Sequence, residues 1–369
     1  MSFSNSTPSP LSVVIACGGT GGHLFPGIAV AQELKARGHK VTLLISQKKV
    51  DAKAIEKYGD FDFRVTEAIA MPRIPSLALF GFSVKLYKAI RYCSALLDEV
   101  GADVVLGMGG FTSFPPIYAA HKKGIKTYVH DSNALPGKAN RLTSRWCHKV
   151  LLGIEEAIHY FKPEKCVVTG TPIRQELVPL MDKEQARQLL QLPMDRQIVL
   201  IMGGSQGAMN LNTLVVEAAA KCPELCDFLI ITGAKDYERI CNLTANMPHV
   251  HVIDFCSNMA AAYAATDLVI ARSGASSLTE LAHMGKGALL IPYPHAADDH
   301  QAHNARVFAA HGAAHMIREE SLSADKIHSF LQETFNNPEV LADLNECALR
   351  LDFPDAVSRI ASVIESSHN

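Results

Sequence analysis

The feature that most constrains this chain is a repeating local unit. A short run of aliphatic and β-branched residues is followed by glycines and then by a helix-like stretch. Leu11–Cys17 (LSVVIAC) is such a run; it ends in glycines, and Phe25–Arg37 then reads as a helix closed by Gly38. Lys40–Ser46, Asp103–Gly107, Lys126–His130, Lys149–Gly153 and Cys166–Thr169 continue the series. Near Gln197 the pattern restarts: IVLIMGGSQGAMNLNTLVVEAA is again strand, glycine turn and helix, and FLIITG, HVIDF, LVIARSG and ALLIPYP follow. Short apolar strands separated by helices predict α/β architecture with parallel sheets covered on both faces.

The two glycine-turn starts lie about 185 residues apart, and 369 residues suit two such domains better than one. The boundary is expected within Gly170–Val178 (GTPIRQELV), giving domains over 11–172 and 173–351. A last helix, roughly Ala356–Ser366, follows Pro354. A formal net charge of −2 argues against a nucleic-acid partner. The nine cysteines form no CxxC pair; Cys222 and Cys226 lack a second ligand pair, so reduced cytosolic thiols are expected. The polar start MSFSNSTPSP lacks the apolar stretch of a secretory signal, and no apolar run approaches the ~18 residues of a membrane span. Any membrane contact is expected to be peripheral.

Neither glycine loop is a dinucleotide fingerprint. In Gly18-Gly19-Thr20-Gly21-Gly22-His23, a GxGxxG frame from Gly19 puts Leu24 at the third glycine, and Ser46-Gln47-Lys48 supplies no ribose-binding carboxylate. Gly203-Gly204-Ser205-Gln206-Gly207 does not fit either, and no GxxxxGK[ST] occurs. Two readings remain: plain tight turns, or backbone N–H groups at helix N-termini that hold a diphosphate. His23 closes the first loop and opens a helix, which favours its neutral, basic form and makes it the best general-base candidate.

Three polar clusters follow strands. In Arg272–Glu280 (RSGASSLTE), Ser276 or Ser277 can donate to phosphate and Glu280 can accept from ribose hydroxyls; an N-capped helix with an acidic first turn is the plainer alternative. In Tyr293–Asn304, three histidines and two aspartates do not have a standard metal spacing. Asp298 and Asp299 are expected to cap a helix beginning near His300, with Gln301 and Asn304 free for sugar hydroxyls. In His130-Asp131-Ser132-Asn133, Asn133 can serve a hydroxyl or acetamido group and Asp131 offers a carboxylate at a strand end; an ordinary turn remains the alternative.

Together these motifs resemble the MurG family of N-acetylglucosaminyltransferases: GGTGGHLFPGIAVA, GMGGF, GTPIR, GGSQGA, RSGASSLTE and AADDHQAHNA occur in order from about residue 12 to 365. The resemblance implies a GT-B fold, two Rossmann-like domains facing across a cleft, with the helix at about 352–366 packing back on the first. It implies inverting transfer of GlcNAc from UDP-GlcNAc to the C4 hydroxyl of the muramoyl sugar of lipid I, giving lipid II for peptidoglycan, without a metal or other cofactor. By position it implies Thr20, Gly21 and Gly22 on the donor from the first domain, with Asn133 and Arg174 also contacting the donor. Ser205 and Gln206 would hold the diphosphate, and Cys256 would stand where backbone reads uracil. Ala275, Ser276, Ser277, Leu278, Thr279 and Glu280 would cover the nucleotide, with Gln301 on the GlcNAc. His23 would activate the acceptor. The family usually reads HEQN where this chain has His130-Asp131-Ser132-Asn133, so a catalytic Asp131 would reach about one methylene less.

The resemblance implies a membrane-anchored acceptor, so a docking face is expected. Leu77, Leu79, Phe80 and Phe82, followed at helical spacing by Lys85, Lys88 and Arg91, suit an anionic inner-membrane surface on the cytoplasmic side. Core packing of this segment is the alternative. The rival functions are another GT-B enzyme, such as a UDP-GlcNAc 2-epimerase or glycolipid glycosyltransferase, and a non-catalytic nucleotide-sugar sensor.

Overall fold

The structure, a computed structural model, describes residues 9–48, 56, 58–67, 78–177, 181–203 and 208–368. The chain divides into two compact units, Met1–Arg174 with Phe353–Asn369, and Gln175–Asp352.

In the first unit the order is β1 (Ser12–Ala16), α1 (Gly21–Ala36), β2 (Lys40–Ser46), β3 (Asp62–Thr66), α2 (Ala78–Glu99), β4 (Val104–Gly107), α3 (Phe114–Lys122), β5 (Lys126–Asp131), α4 (Lys138–Thr143), β6 (Lys149–Leu152) and β7 (Cys166–Val168). The strands form one sheet in the order β3-β2-β1-β4-β5-β6-β7, parallel throughout. Apolar side chains of alternate strand positions fill two cores. Ile15, Leu43 and Leu106 lie on the α1 side, and Val14, Val105 and Val129 on the side of α2 and α3. The order reverses between β1 and β4, and the loops after these two strands carry Gly18–His23 and Gly107–Ser113. A reversal of this kind is where doubly wound sheets hold their ligands.

The second unit repeats the plan with α5 (Lys183–Leu190), β8 (Ile198–Met202), α6 (Met209–Ala219), β9 (Asp227–Ile231), α7 (Tyr237–Leu243), β10 (Val250–Ile253), α8 (Met259–Ala265), β11 (Leu268–Ala271), α9 (Ala275–His283), β12 (Ala288–Leu290), α10 (His300–Ala310), β13 (Ala314–Met316), α11 (Ala324–Asn336) and α12 (Pro338–Leu349). Its parallel sheet runs β10-β9-β8-β11-β12-β13, with the reversal between β8 and β11.

The chain re-enters the first unit at Phe353, and a final helix, α13 (Ala356–Ser366), lies against α1. Ile360, Ala361 and Ile364 join the core on that face. Arg37 pairs with Glu365 at 2.8 Å, and buried His39 bridges the Leu11 amide (3.1 Å) to Glu365 (2.9 Å). Gly170 has φ +77°, and a Cβ there would stand 2.3 Å from Phe353 Cβ, so only glycine lets the returning chain pass.

Two local expectations change. Helix α1 begins at Gly21, four residues before the apolar pattern, because Thr20 O already accepts from the His23 and Leu24 amides at 3.1 and 3.0 Å. The edge strand β3 (DFRVT) was not read from sequence; only one of its five residues is buried, so it lacks the apolar run of its neighbours.

Candidate active site

In the first unit the glycine loop after β1 is held from two sides. Lys48 Nζ donates to Gly19 O at 2.9 Å, and Thr112 Oγ1 donates to Gly18 O at 3.0 Å. Gly18 itself answers a packing demand, since a Cβ there would stand 2.3 Å from the Ser46 amide. Thr20 is exposed and caps no N–H; its hydroxyl lies 3.2 Å from His23 Nδ1. His23 therefore sits in the first turn of α1, where the helix's unpaired amides point outward.

The second wall is the loop after β4. Gly109 (φ +112°) and Gly110 (φ +74°) adopt conformations that disfavour a side chain. A Cβ on Gly109 would approach His23 Nε2 to 3.0 Å, and one on Gly110 would approach His23 Cε1 to 3.0 Å. The imidazole thus borders the space that side chains on these two glycines would take. Buried Ser113 fixes this loop by donating to Gly109 O at 2.9 Å.

Behind His23 lies the end of β5. His130 is buried and pairs through Nε2 with Gly170 O at 3.0 Å. Burial pushes its imidazole down to about 4, with a smaller contribution from His23, so it stays neutral. Asp131 is also buried, and its carboxylate turns into its own loop. It accepts from Asn133 N (2.9 Å), Asn133 Nδ2 (3.3 Å), Gly137 N (3.2 Å) and Asn140 Nδ2 (2.8 Å). Burial raises its pKa and these bonds oppose the rise. The expectation of a reaching catalytic carboxylate is corrected here: Asp131 braces the turn that presents Asn133. Arg174 lies with its guanidinium 5.9 Å from the Phe25 ring, and that ring flanks Gly21, so Arg174 stands at the start of α1.

In the second unit α9 starts at Ala275 behind Gly274, whose extended backbone carries no capping side chain. The amides of Ala275, Ser276 and Ser277 precede the first helical bond, from Leu278 N to Gly274 O at 3.0 Å. This is the geometry that receives an anion. The Glu280 carboxylate lies on the next turn and accepts from buried Tyr263 OH at 2.9 Å. Two residues of this run do not present side chains: Leu278 is in the core, and Thr279 Oγ1 is spent on Ala275 O at 3.0 Å. Buried Arg272 ties the strand ends together, donating to Ile291 O (3.1 Å) and pairing with Glu319 (2.6 Å).

The 293–301 loop is folded back on this helix. Ser273 Oγ donates to Gln301 O at 2.8 Å, and Tyr293 N donates to Gln301 Oε1 at 3.0 Å. Asn304, expected on a sugar, is buried and donates to Ser273 O at 3.1 Å. Asp298 and Asp299 both take positive φ (52° and 56°), and Asp299 makes no capping bond; it pairs with Arg318 at 2.5 Å. That corrects the capping assignment for Asp299. Cys256 is partly exposed in the loop after β10. Ser205 and Gln206 lie outside the described residues.

The basic and apolar segment falls on α2. Phe80 (80% exposed), Val84 and Tyr87 (61%) recur at helical spacing with exposed Lys88 and Arg91, while Lys85 pairs with Glu67. Phe82 turns toward the body of the unit, 5.5 Å from Phe111. Leu77 and the side chain of Leu79 lie outside the described residues.

Sequence reasoning missed Asn140, Tyr263 and the need for Gly109 and Gly110 beneath His23. GMGGF was visible as a motif, but nothing local linked it to a histidine on another element.

Two parallel-sheet units, each with an anion-receiving helix start or glycine loop at its strand reversal, define a nucleotide-sugar glycosyltransferase of the GT-B class. Residues 13–152 match the glycosyltransferase family 28 N-terminal domain, and residues 198–360 match the family 28 C-terminal domain. Curated relatives bear the name UDP-N-acetylglucosamine–N-acetylmuramyl-(pentapeptide) pyrophosphoryl-undecaprenol N-acetylglucosamine transferase. The one from Thermoanaerobacter sp. is 35% identical over 96% of this chain and 100% of its own. That from Myxococcus xanthus is 36% identical over 96% of this chain and 92% of its own. The crystal structure of Acinetobacter baumannii MurG superposes with a TM-score of 0.79 at 26% identity, covering 97% of this chain and 100% of that one. The chain belongs to the MurG branch of glycosyltransferase family 28.

Proposed function

We propose that this enzyme transfers GlcNAc from UDP-GlcNAc, with inversion, to the C4 hydroxyl of the muramoyl sugar of undecaprenyl-pyrophosphoryl-MurNAc-pentapeptide. The observation that carries the reading is near-full-length relatedness at 35% identity to a transferase named for that donor and acceptor. The geometry supplies the roles. Thr20 Oγ1 beside His23 Nδ1 can accept its proton, leaving Nε2, above Gly109, as the basic atom. His23 Nε2 takes the C4 hydroxyl proton as the oxygen bonds to the sugar C1. The C1–O bond to UDP breaks with its electron pair on the diphosphate. The amides at the start of α9, with Ser276 and Ser277, stabilise that charge. Glu280, oriented by Tyr263, accepts from the ribose hydroxyls. Asn133 and Arg174 complete the donor side, with Ser205, Gln206, Cys256 and Gln301 in the roles the family implies.

The acceptor is lipid-bound, and among the described residues no helix is long and apolar enough to cross a membrane. The exposed Phe80, Val84 and Tyr87 beside Lys88 and Arg91 support peripheral docking on an anionic cytoplasmic surface.

The test is transfer from labelled UDP-GlcNAc to a lipid I analogue. A β-1,4-linked disaccharide lipid is expected. His23→Ala should lower turnover about 10²–10⁴-fold while UDP binding is retained; equal losses in both would refute the base assignment. Release of free ManNAc, or binding without turnover, would replace the reading with an epimerase or a sensor.

A further inference from the structure

In the second unit one carboxylate ties together loops from four strand ends. Glu319 stands in the turn after β13, with its side chain 14% exposed. Its Oε2 pairs with Arg272 Nη2 at 2.6 Å, and its Oε1 accepts from Asn210 Nδ2 at 2.9 Å. Asn210 is the second residue of α6, whose start follows the Gly203–Ala208 run after β8. Arg272 follows β11 and stands three residues before the start of α9. Its Nη1 carries the tie to the loop after β12, donating to Ile291 O at 3.1 Å and Pro292 O at 3.3 Å.

The two helices joined this way both start on uncapped amides. No side chain caps α6 or α9, and their first helical bonds run from Asn212 N to Ala208 O and from Leu278 N to Gly274 O. Amides from two helices can hold one diphosphate only if their separation is fixed. Hydrogen bonds inside either helix cannot fix it; a side chain bonded to both ends can. Arg272 is 7% exposed, and carbonyls satisfy its N–H groups without neutralising its charge, so the bridging group has to be an anion.

We propose that Glu319 is a positioning residue for the donor: through Asn210 and Arg272 it holds the start of α6 at a fixed distance from the start of α9, so that both sets of amides meet one diphosphate. The assignment rests on the donor side of the function proposed above.

The experiment compares full-length wild type with Glu319→Ala, Glu319→Gln, Asn210→Ala and the Glu319→Ala/Asn210→Ala double variant. The readouts are UDP affinity by calorimetry, KM for UDP-GlcNAc and KM for a lipid I analogue. Glu319→Ala should weaken UDP and raise the donor KM about 10-fold, as a shift of a few tenths of an ångström at binding amides would. Glutamine can keep both ties, its oxygen toward Arg272 and its NH2 toward a rotated Asn210 amide, so Glu319→Gln should stay within about threefold of wild type. Asn210 is exposed, so Asn210→Ala should fold normally and weaken UDP about threefold by losing one bond to a charged group. The double variant should match Glu319→Ala within about twofold, and KM for the acceptor should stay within about twofold throughout.

The proposal is overturned if Asn210→Ala binds UDP as wild type does, if the two alanine losses multiply, or if glutamine loses as much as alanine. It is equally overturned if the acceptor KM rises as much as the donor KM. Should Glu319→Ala fail to fold, Asn210→Ala and Glu319→Gln decide. Wild type that binds UDP without transferring GlcNAc would overturn the proposed transfer, and the UDP affinities would still decide this assignment; wild type that binds no UDP would overturn both.

Discussion

Replacing Gly109 by alanine tests the most specific demand the structure makes. Gly109 has φ +112°, and an added Cβ would meet His23 Nε2 at 3.0 Å, His23 Cδ2 at 3.1 Å and Asn140 Nδ2 at 3.2 Å, all inside the 3.4 Å where ordinary contact begins. The backbone strain alone is worth about 1–3 kcal/mol. Relief of the contacts requires the imidazole to shift by several tenths of an ångström. A displacement approaching 1 Å at a reacting group lowers turnover by about 10²-fold, so a loss of about 10- to 100-fold is expected for Gly109→Ala. Stability should fall by about 2 kcal/mol, seen as about 4–8 °C in Tm for a unit of this size. Gly38 provides the control: its φ is +91°, yet an added Cβ meets nothing within 4 Å. Gly38→Ala should carry the strain without the clash, lowering Tm and leaving kcat/KM unchanged. The assay is steady-state transfer to a lipid I analogue beside thermal unfolding of both variants. Equal turnover in the two variants would refute the claim that Gly109 is bare in order to seat His23.

Two further outcomes follow from groups already described. His130 titrates near 4 in the folded chain instead of 6.5, so below about 6.5 the unfolded chain takes up a proton that the folded one refuses. Its contribution is intact above that pH and is lost as pH falls toward 4, by at most about 3 kcal/mol. Thermal unfolding at pH 7 and pH 4.5 should therefore show a larger drop for wild type than for His130→Gln; parallel drops would contradict the burial argument. On α2, Phe80→Glu places a charge on a side chain that is 80% exposed and touches no core. Sedimentation with anionic liposomes should fall several-fold while Tm moves little, since exposed substitutions usually change stability by less than about 0.5 kcal/mol. Unchanged liposome binding would remove this helix from the docking face.

Much of the architecture was legible because strands buried on both faces must be apolar along their whole length. β1, β2, β4 and β8 could therefore be read directly, as could the glycines that end them. β3, exposed on one side and at an edge, carried no such mark. The start of α9 was also legible, since a glycine and small residues between a strand and a helix depend only on neighbours in sequence. Side-chain direction was not. Asp131 read as a carboxylate offered at a strand end, but three donors from its own turn and Asn140 from α4 draw it inward. Phe82 reads like Phe80, yet Phe111 from another element pulls it toward the unit. Asn140 and Gly109 gained meaning only when the loop after β4 and the helix after β5 were brought against His23. By itself the sequence determined the two-sheet plan, the positions of the glycine turns and the family. Tertiary structure alone decided which polar groups face the reaction, because a hydrogen bond or a steric demand depends on where the partner lies in space, and these partners come from separate strand ends of one sheet.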